Sequence, residues 1–328
     1  MPAPLETLER LAAEGEGARR APSLRILVVV NPYASTVSDR LKNLVVYALR
    51  GRYDVEAQDT RARGHATELC REAAREGYDG VVAFGGDGTV NEAVNGLAGS
   101  PTALTCLPGG STNVYCRMLG IPDEVVDATE HLLHLADAWR PRRVDVGTAN
   151  DRCFAFSSGV GLDASVVARV DAHPRLKARV GEYYFTYAAI TTFMRRYLVA
   201  PPRLVVAIDG AAEVAGVTAI VQNAAPYTYF KRRRIEIADG PDMSDGTLSG
   251  AVLTRASPLD VPAILWRAFS RRAVVGRHRR VHTYRGAISV HVRSTDARPL
   301  PLQVDGDHVG EVPEVRYGVR GRTLAVVS

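Results

Sequence analysis

No apolar run in the sequence reaches the roughly 20 residues that a transmembrane helix needs, and the N-terminus lacks the basic-then-apolar layout of a secretion signal. Any membrane contact is therefore expected to be peripheral, from a cytoplasmic protein. Cysteine is scarce. The four, Cys70, Cys106, Cys116 and Cys153, stand far apart without the paired spacing of a zinc site. They are expected to be small buried hydrophobes in a reducing compartment. The chain also lacks an internal repeat and any nucleic-acid motif with its aromatic platform, so no nucleic-acid partner is expected.

What is present is ordinary globular composition, 46% hydrophobic and 23% charged over 328 residues, enough for two lobes. The formal charge of +5 favours anionic partners but does not choose among nucleotide, nucleic acid and anionic membrane. Residues 1–23 carry Leu5, Leu8 and Leu11 at near-helical spacing, then a Gly/Glu/Arg-rich stretch from Glu14 to Arg20. This reads as a short helix and a flexible segment. Its polar face is as acidic as basic, which argues against an amphipathic anchor.

From Leu24 onward, apolar runs alternate with helical patterns: 25–30 then 38–50, Val55 then 65–77, 80–84 then 89–97, 103–107 then 123–138. That rhythm predicts an N-terminal doubly wound α/β domain over residues 24–142, its strands buried on both faces of a parallel sheet. Beyond Arg142 short alternating runs at 203–209, 217–223, 248–254, 287–292 and 300–304 predict a mostly antiparallel C-terminal β-sandwich domain over 143–315. Two helices, at about 182–197 and 258–271, interrupt it. The last run, Arg322 to Val327, predicts a strand that could belong to either lobe, so that the segment 316–328 could return to the first.

The most informative segment is Gly85-Gly86-Asp87-Gly88-Thr89-Val90-Asn91-Glu92, between a buried strand and a helix. Glycines let backbone approach a polyphosphate, and the amides and dipole of the helix start favour an anion. Asp87 is out of place in an anion loop unless a cation or a proton transfer is involved. A second loop, Pro108-Gly109-Gly110-Ser111-Thr112-Asn113, follows the next strand, and the pair forms a clamp suited to one nucleotide. Asn31-Pro32, and Thr60 with Gly64-His65-Ala66, add loops at the same sheet edge, where ligands of such sheets bind.

Together these residues resemble the catalytic domain of the diacylglycerol kinase family, which includes sphingosine and ceramide kinases and bacterial lipid kinases. The resemblance runs from about Leu24 to the C-terminus. It rests on Gly85 to Thr89 with Asn91-Glu92, on the Gly110–Asn113 loop, on Asn31-Pro32, and on Thr60 ahead of Gly64-His65-Ala66. Val114 stands where the family has an acid. In the second half the resemblance extends to Gly159-Val160-Gly161-Leu162-Asp163-Ala164, Asp242-Met243-Ser244-Asp245-Gly246 and Asp305-Gly306-Asp307.

The resemblance implies a phosphofructokinase/NAD kinase-like first domain, a lipid-acceptor second domain, and transfer of the ATP γ-phosphate to a lipid hydroxyl. It implies a magnesium site on Asp242, Asp245 and the carbonyl of Thr247, where the residues alone also allow a solvated acidic turn. It implies that Asp87 is catalytic and that Asp305 or Asp307 acts as base, although Asp307 is one methylene shorter than the family's Glu and an Asp-Gly-Asp is otherwise a hairpin turn. The expected partners are ATP, Mg2+, a lipid at a membrane surface, and a second copy in a homodimer. The alternatives are an NAD kinase-like or sugar kinase, and a non-catalytic nucleotide or lipid sensor. The basic run Lys231-Arg232-Arg233-Arg234 reads equally as a lipid-facing surface or a solvated loop, which Arg271-Arg272 and Arg277–Arg280 would extend if they share its face.

Overall fold

The computed structural model describes residues 7, 24–162, 164–165, 203–230, 233–238, 241–255, 257, 260–270, 275–296 and 298–328. The expected segment at 1–23, the helix at 182–197, and residues Asp163, Lys231, Arg232, Arg271 and Arg272 lie outside that set, residue 7 excepted. The chain divides into two compact units: residues up to Val144 with Arg322–Ser328, and Asp145–Gly321.

The first unit runs β1 (Arg25–Val30), α1 (Asp39–Arg50), β2 (Asp54–Asp59), α2 (His65–Arg75), β3 (Gly80–Gly85), α3 (Asp87–Leu97), β4 (Ala103–Pro108), α4 (Val114–Met118) and α5 (Val125–Leu135). Its strands pair in parallel in the order β2-β1-β3-β4. The run Val81–Phe84 is wholly buried, as a strand covered on both faces must be. Ser38 starts α1 by accepting a hydrogen bond from the Leu41 amide on its Oγ, and Arg50 in its last turn suits the helix dipole.

Because the chain steps one way from β1 to β2 and the other way from β2 to β3 and β4, right-handed crossovers put α1 on one face and α2 with α3 on the other. The sheet is doubly wound, and its order reverses between β1 and β3. A crevice for ligand opens at the carboxyl ends of strands at such a reversal. There the amide of Asn31 donates to the carbonyl of Phe84 at 2.9 Å. The C-terminal segment joins this unit, with Val326 beside Leu104 in parallel and the Gly99 amide bonded to the Thr323 carbonyl.

The second unit contains β5 (Arg142–Ala149, entering from the first), β6 (Arg152–Phe154), β7 (Ser157–Gly161), β8 (Leu204–Ile208), β9 (Val214–Gly216), β10 (Thr218–Gln222), β11 (Thr228–Phe230), β12 (Arg233–Ile235) and β13 (Leu248–Leu253). It continues with α6 (Asp260–Phe269), β14 (Val281–Ala287), β15 (Val290–Ser294), β16 (Leu300–Val304), β17 (Asp307–Val312) and β18 (Glu314–Val326). An antiparallel sheet runs β14-β13-β10-β7-β16-β17, and β15 pairs antiparallel with both β8 and β18. One core joins the two layers, with Val160, Val221, Val252 and Val304 from the first meeting Leu204, Val292 and Tyr317 from the second. This is the sandwich expected from the alternation.

Three expectations need correction. The run 287–292 is not one strand: Asp209 Oδ1 takes the amides of Ile288 (2.9 Å) and Ser289 (2.8 Å), which turns the chain between β14 and β15. The last strand is 13 residues long, because Gly318 and Gly321 lie inside β18 and do not end it. The helix after Gly86 begins at Asp87, so Asp87 and Gly88 belong to its first turn.

Candidate active site

Helix α3 sits at the β1/β3 reversal, and the polar residues of its first two turns fasten the loops around it. The Asp87 carboxylate accepts the amides of Val114 and Tyr115, both at 3.0 Å, and so caps α4 and holds the end of the second glycine loop. The Thr89 hydroxyl accepts from Asn31 Nδ2 at 3.2 Å, and Asn31 Oδ1 accepts the Tyr33 amide. Glu92 reaches the other way, to the amides of Gly64 (2.8 Å) and Ala66 (3.0 Å) at the start of α2. Asn91 is fully buried, with Asn95 Nδ2 donating to its carbonyl.

Backbone meets backbone at the two glycine loops. The Gly109 amide donates to the Gly85 carbonyl at 2.9 Å, and the Gly109 carbonyl accepts the Thr36 amide at 3.1 Å. A Cβ on Gly109 would lie 2.8 Å from the Gly85 Cα, and one on Gly110 2.8 Å from the Gly86 Cα, so only glycine fits there. Asn113, in the left-handed region at φ 48, closes the loop on itself by bonding the Gly110 amide and carbonyl, each at 2.8 Å. The N-cap of α3 is Gly86, which offers no side-chain acceptor to the first-turn amides. The product is a rigid backbone cradle at a helix N-terminus, the arrangement that binds phosphate.

Thr60, Gly64 and His65 lie at the carboxyl end of β2, with the Thr60 amide bonded to the Val30 carbonyl and His65 Nδ1 accepting the Arg61 amide. Pro32, Gly88, Val90, Ser111 and Thr112 complete the same three loops and the start of α3.

In the second unit, Asp305 and Gly306 form the turn between β16 and β17, both with positive φ (47° and 83°) as a tight two-residue hairpin requires. Asp305 is 2% exposed, and its carboxylate accepts three amides, from Ala155 (2.7 Å), Phe156 (3.0 Å) and Ser157 (3.1 Å). The Gln303 side chain takes the Gly306 amide at 2.9 Å. The three bonds to its carboxylate make Asp305 the group that holds the chain entering β7, while Asp307, half-buried, stands at the head of β17. In the same region Gly161 has φ 92, and a Cβ there would stand 2.5 Å from the Val217 carbonyl.

Residues 25–149 match the diacylglycerol kinase catalytic domain, and residues 157–328 match the YegS C-terminal NAD kinase beta sandwich-like domain. The chain belongs to the bacterial diacylglycerol kinase family. The family's diacylglycerol kinase from Bacillus subtilis is 26% identical over 270 residues, 80% of this chain and 82% of that one. A shorter match, 29% identical over 178 residues, spans 51% of this chain and about half, 55%, of a relative from Streptococcus pneumoniae. The crystal structure of a diacylglycerol kinase from Bacillus anthracis aligns with a TM-score of 0.70 at 24% identity, covering 94% of this chain and 98% of that one. At that identity the likeness concerns the fold. The family's named members are kinases, a class that uses ATP and usually a divalent metal.

Where the family motif has an acid, this chain has Val114, 3% exposed; the position contributes its amide to Asp87. All four cysteines are buried and free. The thiol of Cys116 is pushed well up by its hydrogen bond to Cys106, by burial and by the nearby Asp87 charge. Burial and the Glu92 carboxylate push Cys70 to about 12. Such protonated thiols are unreactive packing groups.

Asp242 and Asp245 share one turn, where Ser244 Oγ donates to Asp242 (2.6 Å), and the amide and hydroxyl of Thr247 donate to Asp245 (2.8 Å each). Asp145, buried and not flagged by its sequence context, fixes the turn by accepting the Gly246 amide at 2.7 Å. Asn223 secures the same region through the carbonyls of Asp145 and Ala155. Among the described residues no three His, Cys, Asp or Glu side chains group as a metal site. Two carboxylates and the Thr247 carbonyl nevertheless suit a hard cation that keeps several waters. A magnesium-dependent rise in melting temperature is expected for the native protein and not for the Asp242→Ala, Asp245→Ala double variant, because an ion bound only by the folded state stabilises by mass action. Thermal scans of both proteins with and without Mg2+ make the comparison, and equal responses would remove the ion from this turn.

Proposed function

We propose that the protein is an ATP-dependent lipid kinase that moves the γ-phosphate of ATP to the hydroxyl of diacylglycerol or a similar lipid at a membrane surface. The observation that carries this reading is the cradle of backbone amides at the start of α3, closed by two glycine loops packed backbone to backbone. Phosphoryl transfer requires mainly positioning and charge stabilisation, and rigid amides at a helix N-terminus provide both. Asp87, Thr89 and Glu92 hold that cradle in shape through the loops they fasten. Magnesium bound with the nucleotide would neutralise charge building on the transferred phosphoryl group, and Asp242, Asp245 and Thr247 would hold a separate, structural ion. Asp307 takes the proton of the attacking hydroxyl.

The test is incubation with γ-labelled ATP and a panel of diacylglycerol, monoacylglycerol, sphingoid base and polyprenol, with NAD as a control acceptor. Label in a phospholipid is the expected result. Label in NAD, or in nothing, would overturn the reading, the latter in favour of a sensor. A positioned base contributes about 10²- to 10⁴-fold, so Asp307→Ala should lose that factor in kcat. Asp307→Glu should keep or raise activity, since it restores the longer carboxylate. A loss below tenfold in the alanine variant would mean Asp307 is not the base.

A further inference from the structure

The net positive charge of the chain is not spread over it. Residues 260–289 hold seven arginines and one carboxylate, Asp260, a net +6, while the 34 basic and 35 acidic side chains elsewhere leave the rest of the chain at −1. In the second unit this stretch comprises α6, the 3-10 turn Val275–Arg277 and β14. Its one acid faces inward. Asp260 is 6% exposed and lies 3.6 Å from Arg279, 3.9 Å from Arg280 and 3.8 Å from His278. Asp260 thus ties the arginine turn to the start of the helix and leaves no exposed negative charge on the described part of this stretch. Arg277, Arg279, His282 and Arg285 are exposed. So is Trp266 on α6, at 65%, and Ile288 just past β14, at 68%.

Basic residues on an edge strand such as β14 also prevent strand-to-strand aggregation. That role covers His282 and Arg285, but not the arginines of the preceding turn or an indole left in water on a helix. Arginine and exposed tryptophan are the residue types found together at bilayer interfaces, where the ring sits at headgroup level and the guanidinium meets lipid phosphate. We propose that this face, formed by α6, the 275–280 turn and β14, is the surface on which the protein docks to an anionic bilayer. The proposal deepens the lipid-kinase reading and rests on it for its partner.

Cosedimentation with vesicles that contain neither acceptor lipid nor ATP tests the surface independently of catalysis. The native protein should bind phosphatidylglycerol vesicles more tightly than phosphatidylcholine vesicles and release at high salt. Each arginine near an anionic surface contributes about fivefold in partition, or about 1 kcal/mol, so Arg277→Gln with Arg285→Gln should weaken binding about 30-fold. Trp266→Ala should weaken it further, and because these side chains are exposed, melting temperatures should stay native. A second readout is transfer to a dispersed short-chain diacylglycerol, which these variants should perform at the native rate while slowing on vesicles. Native-like vesicle binding by all the variants would overturn the proposal, as would tighter binding to single-stranded RNA than to anionic vesicles. Charge-dependent, Trp266-dependent binding by a protein that phosphorylates no lipid would uphold the surface while removing the kinase reading.

Discussion

Asp305→Ala is expected to lower the free energy of unfolding by roughly 3 to 5 kcal/mol, a large part of the stability of an ordinary domain. Three buried amides, those of Ala155, Phe156 and Ser157, would lose one acceptor group together. Each unsatisfied buried donor costs about 1 to 3 kcal/mol. Asp305→Asn should fall between, because one oxygen remains while an amide nitrogen is forced against a backbone N–H. Urea unfolding of both variants beside Asp307→Ala measures this, with the half-buried Asp307→Ala expected to lose less stability than Asp305→Ala. If Asp305 were instead the proton acceptor, Asp305→Asn would lose turnover with unfolding unchanged, and that pattern would reverse the division of labour between the two aspartates.

The segments that could be read from sequence are those whose signal is local. Buried parallel strands write continuous apolar runs, so Val81 to Phe84 and Ala103 to Leu107 were readable as strands, with loops after them at the carboxyl edge of the sheet. The motif marked a loop at the carboxyl edge of the sheet but not what its side chains hold. Asp87 and Glu92 bond amides 26 to 28 positions away, a distance that only the pairing of the strands and the packing of their helices close. Asp145 and Asn223 carried no signal, since each works by catching backbone from a segment distant in sequence. The misread run 287–292 has the same origin: Ala287, Val290 and Val292 are buried and suggest one strand, and the break between them is imposed by Asp209, about 80 residues earlier.

Asp87→Asn is expected to reduce turnover by on the order of a hundredfold, because the amide cradle that Asp87 holds in shape would lose its preorganisation. The geometry adds a second consequence. Asp87 uses one oxygen for the Val114 amide and the other for that of Tyr115, and asparagine supplies only one acceptor. The remaining amide would face an NH2 group in a site where Val114 and Tyr115 are buried, at a cost of about 1 to 3 kcal/mol. The loop from Gly109 to Asn113, whose backbone is pressed against Gly85 and Gly86, would lose its anchor at α4. Because that loop forms one wall of the amide cradle, KM for ATP should rise while kcat falls, and the melting temperature should drop. Steady-state kinetics over a range of ATP concentrations, with a thermal scan of the same preparation, reads all three quantities. A lower melting temperature with native kcat and KM would make Asp87 a capping residue alone, and native values of all three would remove it from the site.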